Sequence, residues 1–120
     1  MDFETLMKAN LDTVFGERDA SRRIVAIRKI YHEDGLLHEP HRSSRGHEAI
    51  SRAVTDVLKH LPESFSFSAM RPAAGHNGVG RLQWRAGPPG AAAVVTGTDV
   101  AHIDGGLIRV LHVFLDPPDN

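Results

Sequence analysis

The chain of 120 residues contains no cysteine. That excludes disulfides, thiolate metal sites and a cysteine nucleophile, and it fits a reducing compartment. It also lacks an apolar run of the roughly 18 residues that a membrane-spanning helix needs. The first ten residues, MDFETLMKAN, have neither the basic start nor the continuous apolar stretch of a secretory signal. A cytoplasmic protein without a membrane partner is therefore expected. A cationic excess is missing too: 14 Lys and Arg face 15 Asp and Glu, for a net charge of -1. With no basic stripe to displace counterions, no nucleic-acid partner is expected. Neither a dinucleotide fingerprint nor a phosphate loop is present, so no cofactor is implied. Aromatic residues are scarce, and Trp84 and Tyr31 are single representatives of their kinds.

What remains is ordinary globular composition, 41% hydrophobic and 24% charged, in a length that suits one domain over residues 1–120. The chain changes period partway along. Phe3, Leu6, Met7, Leu11, Val14 and Phe15 recur at helical spacing up to Gly16. A second helix, capped by Asp19 or Ser21, carries Ile24, Ile27, Ile30 and Tyr31 on its apolar face and ends before Gly35. After the short segment GLLHEP, Ile50, Ala53, Val54, Val57, Leu58 and Leu61 define a third helix from about 46 to 60, stopped by Pro62. From Ser64 the period is two, with Phe65, Phe67 and Ala69 on one face. Turn signals at 76–78, 87–90 and 104–106 then separate strands over about 79–86, 91–103 and 107–115, and a short Pro-rich tail closes at 117–120. Helices followed by an antiparallel meander predict an α+β fold in which the helices cover one face of a curved sheet.

Several stretches resemble the nuclear transport factor 2-like superfamily, which includes SnoaL-type polyketide cyclases and ketosteroid isomerases: IYHEDGLLHEP, the helix opening RGHEAI, the Trp-bearing RLQWR and GTDVAHIDGGLIRVLHVFLD. The resemblance spans nearly the whole chain. It implies a cone in which a strongly bent antiparallel sheet wraps the helices and an apolar pocket opens at the mouth.

Asp99 shares strand parity with Val95, Gly97 and Ala101, so it projects into that pocket if the small, apolar face is the inner one. A carboxylate there has its charged form destabilised and can act as acid, base or oxyanion donor. The other role open to it is that of a hydrogen-bond acceptor ordering its strand. The resemblance places an acidic catalytic residue at this position. It also places Glu39, in HEP, where ketosteroid isomerases carry their proton-transferring Asp before a Pro. Glu39 alternatively pairs with Arg42 or Arg45 at the surface.

Departures from these relatives limit the transfer of activity. The first helix, with Leu11, Val14 and Phe15, has no Tyr to serve as oxyanion donor. The strand bearing Arg81, Gln83 and Arg85 has no central His. No Asp–Arg–Asp set of the epoxide-hydrolase kind is evident.

Trp84 and Leu82 share a face and form a pocket wall or a core plug. Tyr31 offers a hydroxyl to the cavity or to the core surface. Phe15, Leu111 and Val113 complete the expected lining. His38 and Glu39 face opposite ways along a strand and Pro40 breaks its regularity, so no metal site is expected despite eight histidines. Val110, His112 and Phe114 form an outer apolar face that suggests a homodimer. The leading expectation is a small acid–base enzyme, of isomerase, cyclase or hydrolase type, for an apolar carbonyl- or epoxide-bearing molecule. The alternatives are a non-catalytic binding module for a small hydrophobic ligand and a dimeric domain whose cavity is filled.

Overall fold

A computed structural model describes residues 2–117; Met1 and residues 118–120, most of the expected Pro-rich tail, lie outside the described residues. Helix α1 spans Phe3–Ala9 and is capped by Asp2, whose side chain accepts from the Thr5 N–H. It runs directly into a π-helical turn, Asn10–Phe15, closed by an i→i+5 bond from Gly16 N–H to the Leu11 carbonyl at 2.8 Å. The wider turn buries Asn10, Leu11, Val14 and Phe15 together. Helix α2, Ala20–Ile30, is capped by Asp19, and α3 spans His47–Lys59.

Seven strands follow the order β2-β1-β7-β6-β5-β3, with β4 added against β5. Their ranges are β1 Tyr31–Glu39, β2 Arg42–Arg45, β3 Ser66–Ala69, β4 Ala74–His76, β5 Val79–Gly87, β6 Val95–Asp104 and β7 Leu107–Leu115. The hairpins β4–β5 and β6–β7 close through Asn77-Gly78 and Gly105-Gly106. All four turn residues have positive φ, which glycine and asparagine tolerate and which matches the twist of paired strands. The sheet is curved and unclosed. The helices and its inner face share one core, from Leu6 and Leu11 through Ile27 and Ile50 to Leu82, Ala101 and Leu111.

The expected α+β layout, with helices packed on a curved sheet, is present. Four details differ. Helix α2 stops at Ile30, and Tyr31 has extended backbone, because it pairs with Ile108 instead of continuing the helix. The pairing of β1 with β7 is parallel, which makes the sheet mixed. No hairpin joins these strands; α3 and the meander lie between them, so local turn chemistry does not dictate their direction. The expected strand 91–103 begins only at Val95, since Ala91–Val94 are exposed after the Pro-Pro-Gly turn. Arg42–Arg45 forms an edge strand, not a loop.

Candidate active site

Register fixes the inner face of the sheet. Side chains alternate, so partners line up in rows: Leu82, Asp99 and Val113 in one, Trp84, Gly97 and Leu115 in the next. Glu39 follows His38, whose partner His112 precedes Val113. Glu39 and Asp99 therefore stand on either side of Val113, with their backbones about 10 Å apart, or two strand spacings.

Gly97 makes room for Trp84. A Cβ on Gly97 would lie 2.5 Å from Trp84 Cζ2 and 2.6 Å from the Phe114 carbonyl oxygen, so only glycine lets the indole lie flat across this row. From that position Trp84 Nε1–H donates to Asp99 Oδ1 at 2.9 Å. No other hydrogen bond to the Asp99 carboxyl is found among the described residues, and Oδ2 is left for whatever enters the cavity. Asp99 is 3% exposed. Burial pushes its carboxyl up to about 7, against the pull of the Trp84 hydrogen bond in the other direction.

The cavity in front of Asp99 has a volume of about 100 Å³. It is lined by Leu11 and Phe15 of the π turn and Val57 of α3 from the helices, and by Phe67, Trp84, Val113 and Leu115 from the sheet. Phe15, Phe67 and Trp84 make a continuous aromatic wall, with ring centroids 6.2 and 5.7 Å apart. Glu39 and Pro40 complete the lining. Glu39 does both things open to it: it borders the cavity and accepts from Arg42 Nε at 3.2 Å. Arg42 also donates to Asp56 Oδ2 at 2.6 Å and to the Ala53 carbonyl at 3.1 Å, which ties β2 to α3.

Five of the residues expected at the site thus come together: Asp99, Glu39, Trp84, Val113 and Phe15. Tyr31, Leu82 and Leu111 pack into the core and do not line the cavity. Tyr31 opens β1 while Glu39 ends it, which puts them at opposite ends of a nine-residue strand. The Tyr31 hydroxyl donates to Asn10 Oδ1 at 2.5 Å, and burial, with a smaller contribution from the Asp99 charge, holds the phenol well above its ordinary value. Asn10 Nδ2 is buried without a hydrogen-bond partner among the described residues. Leu111 lies one row deeper than Asp99, between Ala101 and Leu37. Leu82, the register partner of Asp99, is enclosed by the core at 1% exposure.

The remaining cavity residues carried partial signals. Leu115 has the parity of Val113, Phe67 lies on an alternating strand, and Pro40 adjoins Glu39. Nothing local pairs Arg42 with Asp56. His38 turns to the outer face, away from Glu39, and among the described residues no three His, Asp or Glu side chains converge as metal ligands.

A curved, unclosed sheet with three helices on its inner face and a cavity between them defines the nuclear transport factor 2-like class of folds. Within it, this chain belongs to the SnoaL-like domain family, whose sequence profile matches residues 12–111. Among solved structures it is similar to a candidate isomerase of the SnoaL-like family from Agrobacterium tumefaciens, with 24% identity over 94% of this chain and 96% of that one, and a TM-score of 0.85. It is also similar to a candidate polyketide cyclase from Sinorhizobium meliloti, with 17% identity, the same two coverages of 94% and 96%, and a TM-score of 0.71. A de novo designed protein with a curved β-sheet superposes over 98% of this chain and 89% of its own, at 14% identity and a TM-score of 0.69. These likenesses establish the fold, and a fold does not by itself fix an activity. No curated protein matches the chain in sequence.

Proposed function

We propose that this protein is a cofactor-independent acid–base enzyme, of isomerase, cyclase or hydrolase type, acting on a small apolar molecule that bears a carbonyl or an epoxide. One observation supports this most: a buried carboxyl poised near neutrality on the wall of an apolar cavity, held at one oxygen by Trp84. A proton-transfer group works best when its pKa lies near the working pH. Near neutrality Asp99 is shared between both forms, so its free oxygen can take a proton from carbon or give one to a developing oxyanion. Glu39, paired with Arg42 at the cavity's edge, would serve as the second carboxyl that receives or relays a proton. Leu11, Phe15 and Val113 exclude water, which strengthens both steps.

The test is hydrogen exchange at the α-carbon of a small cyclic ketone in D₂O, followed by NMR. The wild type should accelerate exchange over buffer with an inflection near pH 7, and Asp99→Asn should lose about a hundredfold or more. Binding of the ketone without any exchange would instead establish a non-catalytic module for a small hydrophobic ligand. The apolar lining beside the two carboxyls is what keeps that second reading in view. The absence of cysteine accords with action in the cytoplasm, and the outer sheet face with a homodimer.

A further inference from the structure

The cavity at Asp99 has room for about 100 Å³, whereas sites that hold whole ligands commonly run to several hundred. A molecule that reaches Asp99 therefore extends beyond it. The way out is marked: Glu39, Pro40 and Leu115 line both the cavity and an adjoining hollow of about 390 Å³ that reaches His41 and Arg42. Arg42 also lines a groove of about 490 Å³ between β2 and α3. Shared residues thus connect Asp99 to the edge of the sheet.

The groove has a different chemistry from the cavity. Arg52, Asp56 and Lys59 lie on one face of α3, four and three residues apart, and Arg42 and Arg45 of the edge strand line the groove with them, Arg42 from the inner side of the strand and Arg45 from its other side. Asp56 is the single carboxylate lining it among the described residues, and Arg42 occupies that carboxylate. Arg45 gives one N–H to the Asp34 carbonyl at 3.4 Å, and Arg52 and Lys59 make no hydrogen bond or ion pair among the described residues. Three cations with free donors are gathered there in a chain whose net charge is -1. Guanidinium forks match the oxygens of a phosphate group and hold them with charge-assisted hydrogen bonds.

We propose that the substrate is bipartite: a small carbonyl or epoxide end enters the cavity, and a phosphate-ester end lies between β2 and α3 against Arg45, Arg52 and Lys59. The link between the two ends rests on the acid–base reading of the cavity. Strand β6, which carries Asp99, is three positions from β2 in the sheet. That is about 14 Å across the strands, and Arg45 lies three residues along β2 from Arg42, which shares the Asp99 row, so the ends are about 17 Å apart, a span that a chain of about fourteen atoms bridges.

The test has two stages and uses the whole protein in low-salt buffer. Pyrophosphate is titrated first while the Nε–Hε NMR signals of Arg45 and Arg52 are followed. A saturable shift is expected, weakened about tenfold in the double variant Arg45→Gln, Arg52→Gln and unchanged in Arg81→Gln on β5, four strands away. Inorganic phosphate should bind more weakly than pyrophosphate. No shift up to about 10 mM, or an equal loss in Arg81→Gln, overturns the groove as an anion site. A methyl ketone joined to a phosphate monoester by a chain of about fourteen atoms is titrated next. It should move the arginine signals together with the Leu11 and Val113 methyls and bind at least about tenfold more tightly than either fragment. Arginine shifts with silent cavity methyls overturn the bipartite substrate. The acid–base reading is judged separately by ketone exchange in Asp99→Asn, which does not involve the groove.

Discussion

Asparagine at position 99 copies the protonated acid: its oxygen can accept from Trp84 and its amide can donate where the carboxylic proton did. The comparison with wild type therefore isolates ionisation. Asp99 titrates near 7 in the folded protein, above its ordinary value of 3.8, so the folded chain holds the proton more tightly. Its contribution to stability is full below about pH 4 and is lost as pH rises through 7, roughly 4 kcal/mol in all. Asp99→Asn should match the wild type below about pH 4 and become progressively the more stable of the two as pH rises from 4 to 7, as read from thermal midpoints across that range. A variant destabilised equally at every pH would mark Asp99 as a structural acceptor. Trp84→Phe removes the one hydrogen bond that favours the carboxylate, so the Asp99 titration should move upward. Gly97→Ala drives a methyl into the indole and the Phe114 carbonyl. It should disturb the Trp84–Asp99 bond and cost about 1–3 kcal/mol, measurable by urea unfolding and a shift in Trp fluorescence.

At the scale of elements, α2 is held on α3 by a buried cation. Arg23 is 1% exposed and donates from Nη1 to the Ser51 carbonyl at 2.9 Å and to Thr55 Oγ1 at 2.6 Å, with Nε on the Glu17 carbonyl at 3.0 Å. Among the described residues no carboxylate forms an ion pair with it; oxygens of α3 and of the preceding loop accept its protons. Arg23→Ala should cost about 2–4 kcal/mol in urea unfolding, because those acceptors lose their donor in a buried place. Arg22→Ala, whose exposed side chain pairs with Glu17, should leave the unfolding midpoint nearly unchanged, because solvent screens an exposed pair. The contrast also shows what the sequence can say. Ile27 and Ile30 declare the buried face of α2 by their spacing, but Arg23 reads as solvent-facing until α3 supplies its acceptors. The same division runs through the site. Strand parity is local, so Asp99, Trp84 and Val113 could be placed on one face in advance. Tyr31 could not, because the end of α2 is decided by pairing with Ile108, far away in the chain. The parallel union of β1 and β7, which sets Glu39 beside Val113, and the Arg42–Asp56 tie are tertiary in the same sense.

On the outside of the whole molecule, the cross-strand rows that back the cavity carry His38, His102, His112 and Phe114. The His38 and His112 rings are 4.8 Å apart, His102 and His112 6.0 Å, and His112 stacks on Phe114 at 6.2 Å. Phe114 is 55% exposed in the single chain, and a homodimer across this face is the expected way to cover it. Sedimentation should show a dimer at micromolar concentration that Phe114→Asp weakens; a wild-type monomer would reject the interface. Burial first, then the neighbouring His38 and His102, hold His112 below its ordinary 6.5. Its contribution to stability is therefore full above pH 6.5 and is lost as pH falls from there toward the lower folded value. Acidification should weaken the fold on this side, opposite in sign to Asp99, and His112→Gln should flatten that limb. The central claim concerns the inner face, and ¹³C NMR titration of the Asp99 side-chain carboxyl tests it most directly. A midpoint near 7 that moves upward in Trp84→Phe is the expected result. A midpoint at or below the ordinary 3.8 would mean an acid held charged by its surroundings, and no proton-transfer group in this cavity.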